Sequence, residues 1–551
     1  MLVIFAGIGV TRIRAGRLGQ NGDPMKKKYI VAHDMGTSAD KAILVDMTGI
    51  IIEQVKESYP LYHPEPDHAE QEPEDLWRAV CRTTRELLRK GKISADQVAG
   101  ITFSSQTQSL IPVDSKGTPL RRSFNWLDGR SADIIREKLW TRPRIKGYHI
   151  FRLLKFLAVT GGAPGHTGKD QIGKILWYRR HEPDLFARTD RFLDAKDYIL
   201  FRLTGQMVIS SDLASIWWML DTRKKPFRWH EGLTRMAGIT PDLLPEVRES
   251  GAIVGPLTDA AADATGLKEG TPVINGAGDL SAAALGSGAL EDGAFHVCIG
   301  TSGWVAGHVT RRKIDLPHYA GCIGSALPDR YYLAMAHQET AGICLEWLKN
   351  NILYHKDRLI KEARVEEIFQ ILDELAAASP PGAESLVFTP WMYGERCPVD
   401  DDHVRASLMN LGLNHRREHV VRAVFEGIAM NTRWAMETLE KLYKPVTRLN
   451  FIGGGAKSDI WCQILADVTD RIINRVADPE QAGARGVALL AAVTLGYIDS
   501  VEKIQDHIQI DRRFVPRAEN RRLYDRLFRE FKNVYRQNKR WYRRMNRRSS
   551  D

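Results

Sequence analysis

Five adjacent residues near the start of the chain, Asp34-Met35-Gly36-Thr37-Ser38, with Lys41 three positions on, put a carboxylate, a glycine, two hydroxyls and an ammonium into one short turn. Glycine lets a backbone approach an oxygen-rich ligand, and hydroxyls with exposed N–H groups donate to phosphate. Asp34 would face a metal ion or its water shell. Alone, such a turn is equally an ordinary hairpin with capping hydroxyls. A second one, Gly300-Thr301-Ser302, shifts the reading towards phosphate clamped from two sides. Asp279 follows the Gly-rich Asn275-Gly276-Ala277-Gly278 and precedes an Ala-rich stretch, so it is either a helix N-cap or a carboxylate exposed in a cleft. Gln106-Thr107-Gln108 and Trp126-Leu127-Asp128-Gly129-Arg130 offer the amides, charges and indole that suit a polyhydroxylated ligand. Gly453-Gly454-Gly455-Ala456 is either a slot for a flat ring or a tight strand-to-helix turn.

Other routes to phosphate or metal fail on residue type. Gly168-Lys169 has Ala163 where a P-loop needs its first glycine and Asp170 where it needs a hydroxyl. No GxGxxG follows a strand with a suitable acidic residue downstream. The six cysteines are scattered, without CxxC pairs or histidines at zinc-ligand spacing, and read as reduced thiols of a cytoplasmic protein.

The elements that must position these residues alternate. Apolar runs at Tyr29–Ala32 and Ala42–Val45 flank the first Gly-Thr-Ser turn, and Ala294–Ile299 with Trp304–Val309 flank the second, 264 residues later. Helical spacing runs through 74–90, 420–440 and 459–468, and strands are expected at 98–103 and 449–452. Residues 483–495 form a small-residue helix able to pack against a backbone. The pattern is that of an α/β protein with helix-covered sheets, in two lobes of related build. Its expected divisions are a 1–24 extension or mis-called start, lobes at 25–276 and 277–519, and a basic tail at 520–551. Leu523, Leu527, Phe531 and Val534 make one stripe in that tail, by which a surface helix would dock.

The chain of 551 residues has a formal net charge of +10, but the charge sits at its ends. Residues 520–551 hold twelve Lys or Arg against three acids, and residues 1–24 hold three against one. The body is then +10 − 9 − 2 = −1. A near-neutral body does not suit a phosphate-backbone groove, and no apolar run reaches the ~18 residues of a membrane span. Nucleic-acid and membrane partners are therefore not expected.

Together these motifs resemble the FGGY carbohydrate kinase family, over about residues 29–504 and in the family's order. The resemblance also rests on Glu70-Gln71-Glu72-Pro73 with Trp77, Lys174-Ile175-Leu176-Trp177, the segment 192–205, Tyr393-Gly394-Glu395-Arg396, Arg422-Ala423-Val424-Phe425-Glu426-Gly427 and the segment 453–467. It implies the two-lobed actin-like, ribonuclease-H-like ATPase fold, with ATP, Mg2+ and a small sugar or polyol in the interdomain cleft. By that resemblance Asp279 is the general base and Asp34 lies near magnesium, through water. Gly36, Thr37, Ser38, Lys41, Gly300 and Thr301 are on the phosphate side; Gly342, Gly455, Ala456 and Asp459 surround the nucleoside. Gln108, Trp126, Asp128 and Asp279 face the sugar. Thr107-Gln108 stands where xylulose-type members have Met-His and glycerol-type members Arg-Glu. The expected substrate is a pentulose such as D-xylulose, with ribulose, glycerol or an alditol as alternatives and a homodimer left open. The 142–170 stretch is a lid over the sugar or a surface loop. A non-catalytic sugar or nucleotide sensor, and an ATPase related to actin or heat-shock chaperones, are the competing classes.

Overall fold

The computed structural model describes residues 28–353 and 368–546; the expected 1–24 extension lies outside them. Its first sheet begins with an antiparallel meander, β1 (Tyr29–Met35), β2 (Ala39–Asp46) and β3 (Ile51–Ser58). It continues through β4 (Val98–Ser105), parallel to β1, and the short strands β5 (Ile253–Pro256), β6 (Pro272–Ile274) and β7 (Ala277–Gly278). Strand order is β5-β6-β4-β1-β2-β3, with β7 also pairing β4.

The second sheet repeats the plan. β8 (Phe295–Ile299), β9 (Gly303–Val309) and β11 (Tyr332–Gln338) form the meander, with β10 (Ala320–Gly324) outside β11. β12 (Arg448–Ile452) and β13 (Ile472–Val476) add in parallel beyond β8, and β14 (Ile510–Phe514) closes the edge. The shared order β3-β2-β1-β4-β6 and β11-β9-β8-β12-β13 places each Gly-Thr-Ser turn between the first two strands of its sheet.

Helices cover the sheets as expected. α1 (Pro73–Gly91) buries Leu76, Val80 and Leu87 on the first sheet. The chain passes from β7 into α2 (Asp279–Gly286) before the second sheet begins. The second sheet is backed by α3 (Arg417–Leu442) and α4 (Asp459–Thr469). α5 (Ala482–Thr494) packs on α2 and on β1 and β4 of the first sheet. This helix has the close approach that its small residues imply: a Cβ on Gly486 would lie 2.1 Å from the Ala282 carbonyl oxygen, and one on Gly286 would lie 1.7 Å from that of Ala482.

The basic tail forms α6 (Arg521–Met545) and docks by a face offset from the expected one. Tyr524, Leu527, Phe528, Phe531 and Tyr542 are buried, whereas Leu523 and Val534 lie at the margin. The cause is polar. Tyr524 Oη donates to Glu426 Oε1 at 2.8 Å and accepts from Arg422 Nη2 at 3.2 Å, so the buried Arg422–Glu426 pair of α3 fixes the rotation of α6. Residues 142–170 are not a plain surface loop. They comprise a small hairpin (Arg144–Ile145 with Tyr148–His149), a helix at Ile150–Thr160 and a loop ending at Lys169 and Asp170. No helix among the described residues is long and apolar enough to cross a membrane.

Candidate active site

Register across the first sheet sets one polar row. Asp34 of β1 lies opposite Lys41 of β2 and Ser104 of β4, and residues so paired share a face. Ser104 Oγ donates to Asp34 Oδ1 at 2.7 Å, fixing the carboxylate while no hydrogen bond engages Oδ2 among the described residues. Lys41 has no ion-pair partner among the described residues. Gly483, at the start of α5, sits over this row: a Cβ there would lie 3.2 Å from both Asp34 Oδ1 and Ser104 Oγ.

The first turn is held from behind. Gly36 N–H donates to Ala39 O at 2.9 Å and closes the loop. Gln71 Nε2 donates to Thr37 O, and Trp126 Nε1 donates to Thr37 Oγ1, each at 2.8 Å. Gln71, Gln106 and Asn125 interlock by side-chain hydrogen bonds of 2.7–2.9 Å, so buried amides pin the backbone of Thr37. Ser38 remains exposed in the turn.

The second turn is exposed at Gly300 and Thr301 and is gripped by the following segment. Gly342 N–H donates to Gly300 O at 2.8 Å, and the amides of Ala341 and Ile343 donate to Thr301 O. A Cβ on Gly342 would fall 2.4 Å from Gly300 O, so this contact requires glycine. Gly453, at φ +85°, and Gly455 press on Ile299, where side chains would come within 2.7 and 2.9 Å of its atoms. The Gly-Gly-Gly-Ala segment is thus a tight strand-to-helix turn packed beside the second Gly-Thr-Ser turn, with Ala456 buried behind it.

Asp279 enters from the side of the first sheet. Gly276, at φ +76°, brings the turn so close to β4 that a Cβ would lie 1.9 Å from Phe103 O. Gly278 is the N-cap of α2, so Asp279 is the first helical residue. Its Oδ1 accepts the adjacent Leu280 amide, at 2.8 Å, and the side chain is half-buried. Asp212, on the short helix Ser211–Ile216, anchors the turn by accepting Gly278 N–H at 2.8 Å and Ser250 Oγ at 3.0 Å. Burial pushes the Asp279 carboxyl up to about 7, and the negative charges of Asp34 and Asp212 add to the shift. Charges of Lys41, Asp279 and Asp34 all act on the buried Cys298 thiol of β8, whose own pKa burial raises. The two sheets therefore converge on one point.

That carboxyl sets an acid limb. If ionised Asp279 accepts a proton, kcat/KM for the acceptor rises with pH and levels above about 7. Asp34→Asn removes a neighbouring negative charge and eases ionisation, so the limb of the residual activity moves to lower pH. A profile of log kcat/KM between pH 5 and 9 for both proteins checks the direction.

The sugar-side candidates separate. Trp126 is half-buried with its indole on Thr37. Gln108, at φ +64°, turns its amide onto Asp170 Oδ1 at 3.0 Å, and the buried Lys174 holds its carbonyl at 2.6 Å. Asp128 corrects the sequence reading. Its fully buried carboxylate accepts Ala69 N–H at 2.8 Å and is chelated by Arg130, leaving it to brace the wall and not to meet a ligand. Asp459 is exposed at the start of α4 but is paired with Arg475 at 2.5 Å and with Arg512. Sequence reasoning missed Asp212 and Trp218, whose indole donates to Asp170 Oδ1 at 2.7 Å. It also missed Lys169 and Asp170, at the end of the 142–170 stretch, which contact Trp126 and Gln108.

Among the described residues no cluster of three or more His, Cys, Asp or Glu could hold a metal. Mg2+ rarely needs one, being held by one or two carboxylates with phosphates and water. Asp34, with one oxygen unengaged, fits that role.

Two sheets of shared topology, each offering a Gly-Thr-Ser turn to a cleft with a carboxylate pair, define a two-lobed phosphotransferase of the actin-like ATPase fold. Comparisons with known proteins agree. Residues 29–286 match the N-terminal domain, and residues 296–495 the C-terminal domain, of the FGGY family of carbohydrate kinases. The chain is 32% identical to a xylulose kinase of Bacillus subtilis over 92% of its own length and 97% of the relative's. It is 29% identical to a gluconokinase of Bacillus licheniformis, covering 92% and 96%. The solved structure of a ligand-bound xylulose kinase from Lactobacillus acidophilus superposes with a TM-score of 0.82 at 26% identity, over 94% of this chain and all of that one. The chain belongs to the FGGY family and is a carbohydrate kinase.

Proposed function

We propose that this kinase transfers the γ-phosphoryl group of ATP to a primary hydroxyl of a pentulose, D-xylulose before others. The observation that carries the chemistry is the Asp279 carboxylate, half-buried at the head of α2 beside Asp34 and raised to about 7. Asp279 accepts the proton of the attacking hydroxyl as its oxygen bonds to the γ-phosphorus and the bond to the ADP oxygen breaks. Lys41 and the turns at Gly36-Thr37-Ser38 and Gly300-Thr301 supply positive charge and N–H or O–H donors to the phosphoryl oxygens. Asp34 would hold Mg2+ through water, and the ion when bound would supply charge neutralisation to the phosphates. Gly342, Gly455 and Ala456 wall the nucleoside side. Asp459 and its arginine partners stand at the rim. Trp126 and Gln108 line the sugar side. Positioning and electrostatics carry most of the acceleration, because little covalent work falls to the protein.

The pentulose assignment is supported by full-length relatives named xylulose kinase. A sugar acid is the second reading: gluconokinase relatives cover the chain equally well, and the cations Lys169 and Arg396 flank the sugar side. The test is ADP release with magnesium ATP across D-xylulose, D-ribulose, gluconate, glycerol and alditols. D-Xylulose is expected to give the highest kcat/KM, by at least about tenfold, since a site built to pair each hydroxyl discriminates strongly. A highest value with gluconate would replace the pentulose by a sugar acid. Six unpaired cysteines accord with a cytoplasmic setting.

A further inference from the structure

Away from the packed pair α2 and α5, the lobes also meet through polar contacts, among them Lys225 with Asp329, Arg312 with Thr222, and, nearest Trp126, Lys169 with Glu339. Lys169 Nζ of the first lobe lies 4.0 Å from Glu339 Oε1 of the second, and Arg396 Nε lies 2.6 Å from Glu339 Oε2. Both ends are built in. The Lys169 ammonium sits 5.8 Å from the centre of the Trp126 ring, and that indole donates to Thr37 Oγ1 in the first phosphate turn. Asp170, next in the chain, is buried under hydrogen bonds from Gln108, Trp218 and the Gly165 amide, which fixes the lysine's backbone. On the other side, Glu395 Oε1 accepts the amides of both Glu339 and Arg396 at 2.9 Å, and Asn431 braces Glu395. Two residues beyond Glu339, Ala341 N–H donates to Thr301 O in the second phosphate turn. A path of contacts thus runs from Thr37 through Trp126, Lys169 and Glu339 to Thr301.

We propose that Lys169 is a positioning residue that latches the lobes together on the sugar side, its pairing with Glu339 setting the separation of the two Gly-Thr-Ser turns that grip the transferred phosphate. The proposal rests on the kinase reading for its catalytic consequence. Its geometry stands apart from the choice of sugar.

A double-mutant cycle tests it. Lys169→Met is expected to lower kcat/KM for both magnesium ATP and sugar about fivefold, the upper end for an ion pair that keeps some contact with solvent, whereas Lys169→Arg restores activity to within about twofold. In the Glu339→Gln background the same Lys169→Met change should cost nothing. A matching readout needs no turnover: small-angle scattering of the ligand-free proteins should give a larger radius of gyration for Lys169→Met and Glu339→Gln than for the parent at low salt. The difference should vanish at high salt, where the parent's pair is screened. An equal loss on Lys169→Met in both backgrounds would overturn the latch, as would loss confined to sugar KM, which would place Lys169 directly on the substrate. Unchanged scattering would also overturn it. Absence of turnover by the parent with every sugar would count against the kinase reading alone, and scattering would still decide the latch.

Discussion

Asp279→Asn is expected to lower sugar-dependent kcat by about 10^3-fold, equivalent to about 4 kcal/mol of transition-state stabilisation, while leaving KM for ATP within about twofold. Asparagine keeps the size and accepts the Leu280 amide that the aspartate accepts at 2.8 Å, so the head of α2 should survive. What it loses is a proton acceptor tuned by burial and by Asp34 to titrate near 7. Loss confined to kcat is the mark of an interaction made in the transition state and not in the ground state. The acid limb near pH 7 should vanish with it. Steady-state kinetics on both proteins, at pH 6 and 8, checks the split.

Gly486→Ala is expected to destabilise the fold by about 2–4 kcal/mol, although alanine is the better helix former by about 1 kcal/mol. The sign is decided by the crossing of α2 and α5. An added Cβ would meet the Ala282 carbonyl oxygen at 2.1 Å and the Gly286 amide nitrogen at 2.6 Å, and both are backbone atoms that cannot turn aside. The helices must separate, and Asp279 at the start of α2 and Gly483 above Asp34 at the start of α5 move with them. Urea unfolding should show the loss of stability, with a fall in kcat beyond that explained by the unfolded fraction. A neutral or stabilising outcome would mean that the two helices are not pressed together as described.

The parts of the site legible in the sequence are those encoded locally. Each Gly-Thr-Ser turn lies between apolar runs that can only pair as a hairpin, so Thr37 and Thr301 announced themselves. Asp279 stood out because a Gly-rich turn and an Ala-rich helix meet at it. What stayed hidden depends on contacts distant in sequence. Asp128 looks like a sugar ligand until Ala69 N–H, 59 positions earlier, and the Arg130 guanidinium consume its oxygens. Asp212 supports Gly278 from 66 positions away and has no local motif. Lys169 and Asp170 gain meaning only when Trp126, Trp218 and Glu339 fold around them. In the tail, apolar spacing suggested a Leu523–Val534 stripe, but the hydrogen bonds of Tyr524 to Arg422 and Glu426 rotate the helix onto Tyr524 and Phe528.

The most direct test of phosphoryl transfer assisted by Asp279 is 31P NMR of the full-length protein with magnesium ATP and D-xylulose, followed beside Asp279→Asn. The expected result is a growing phosphomonoester signal split by two methylene protons, matched mole for mole by ADP and almost absent in the variant. Release of inorganic phosphate without any sugar phosphate, or equal ester formation by the variant, would contradict it.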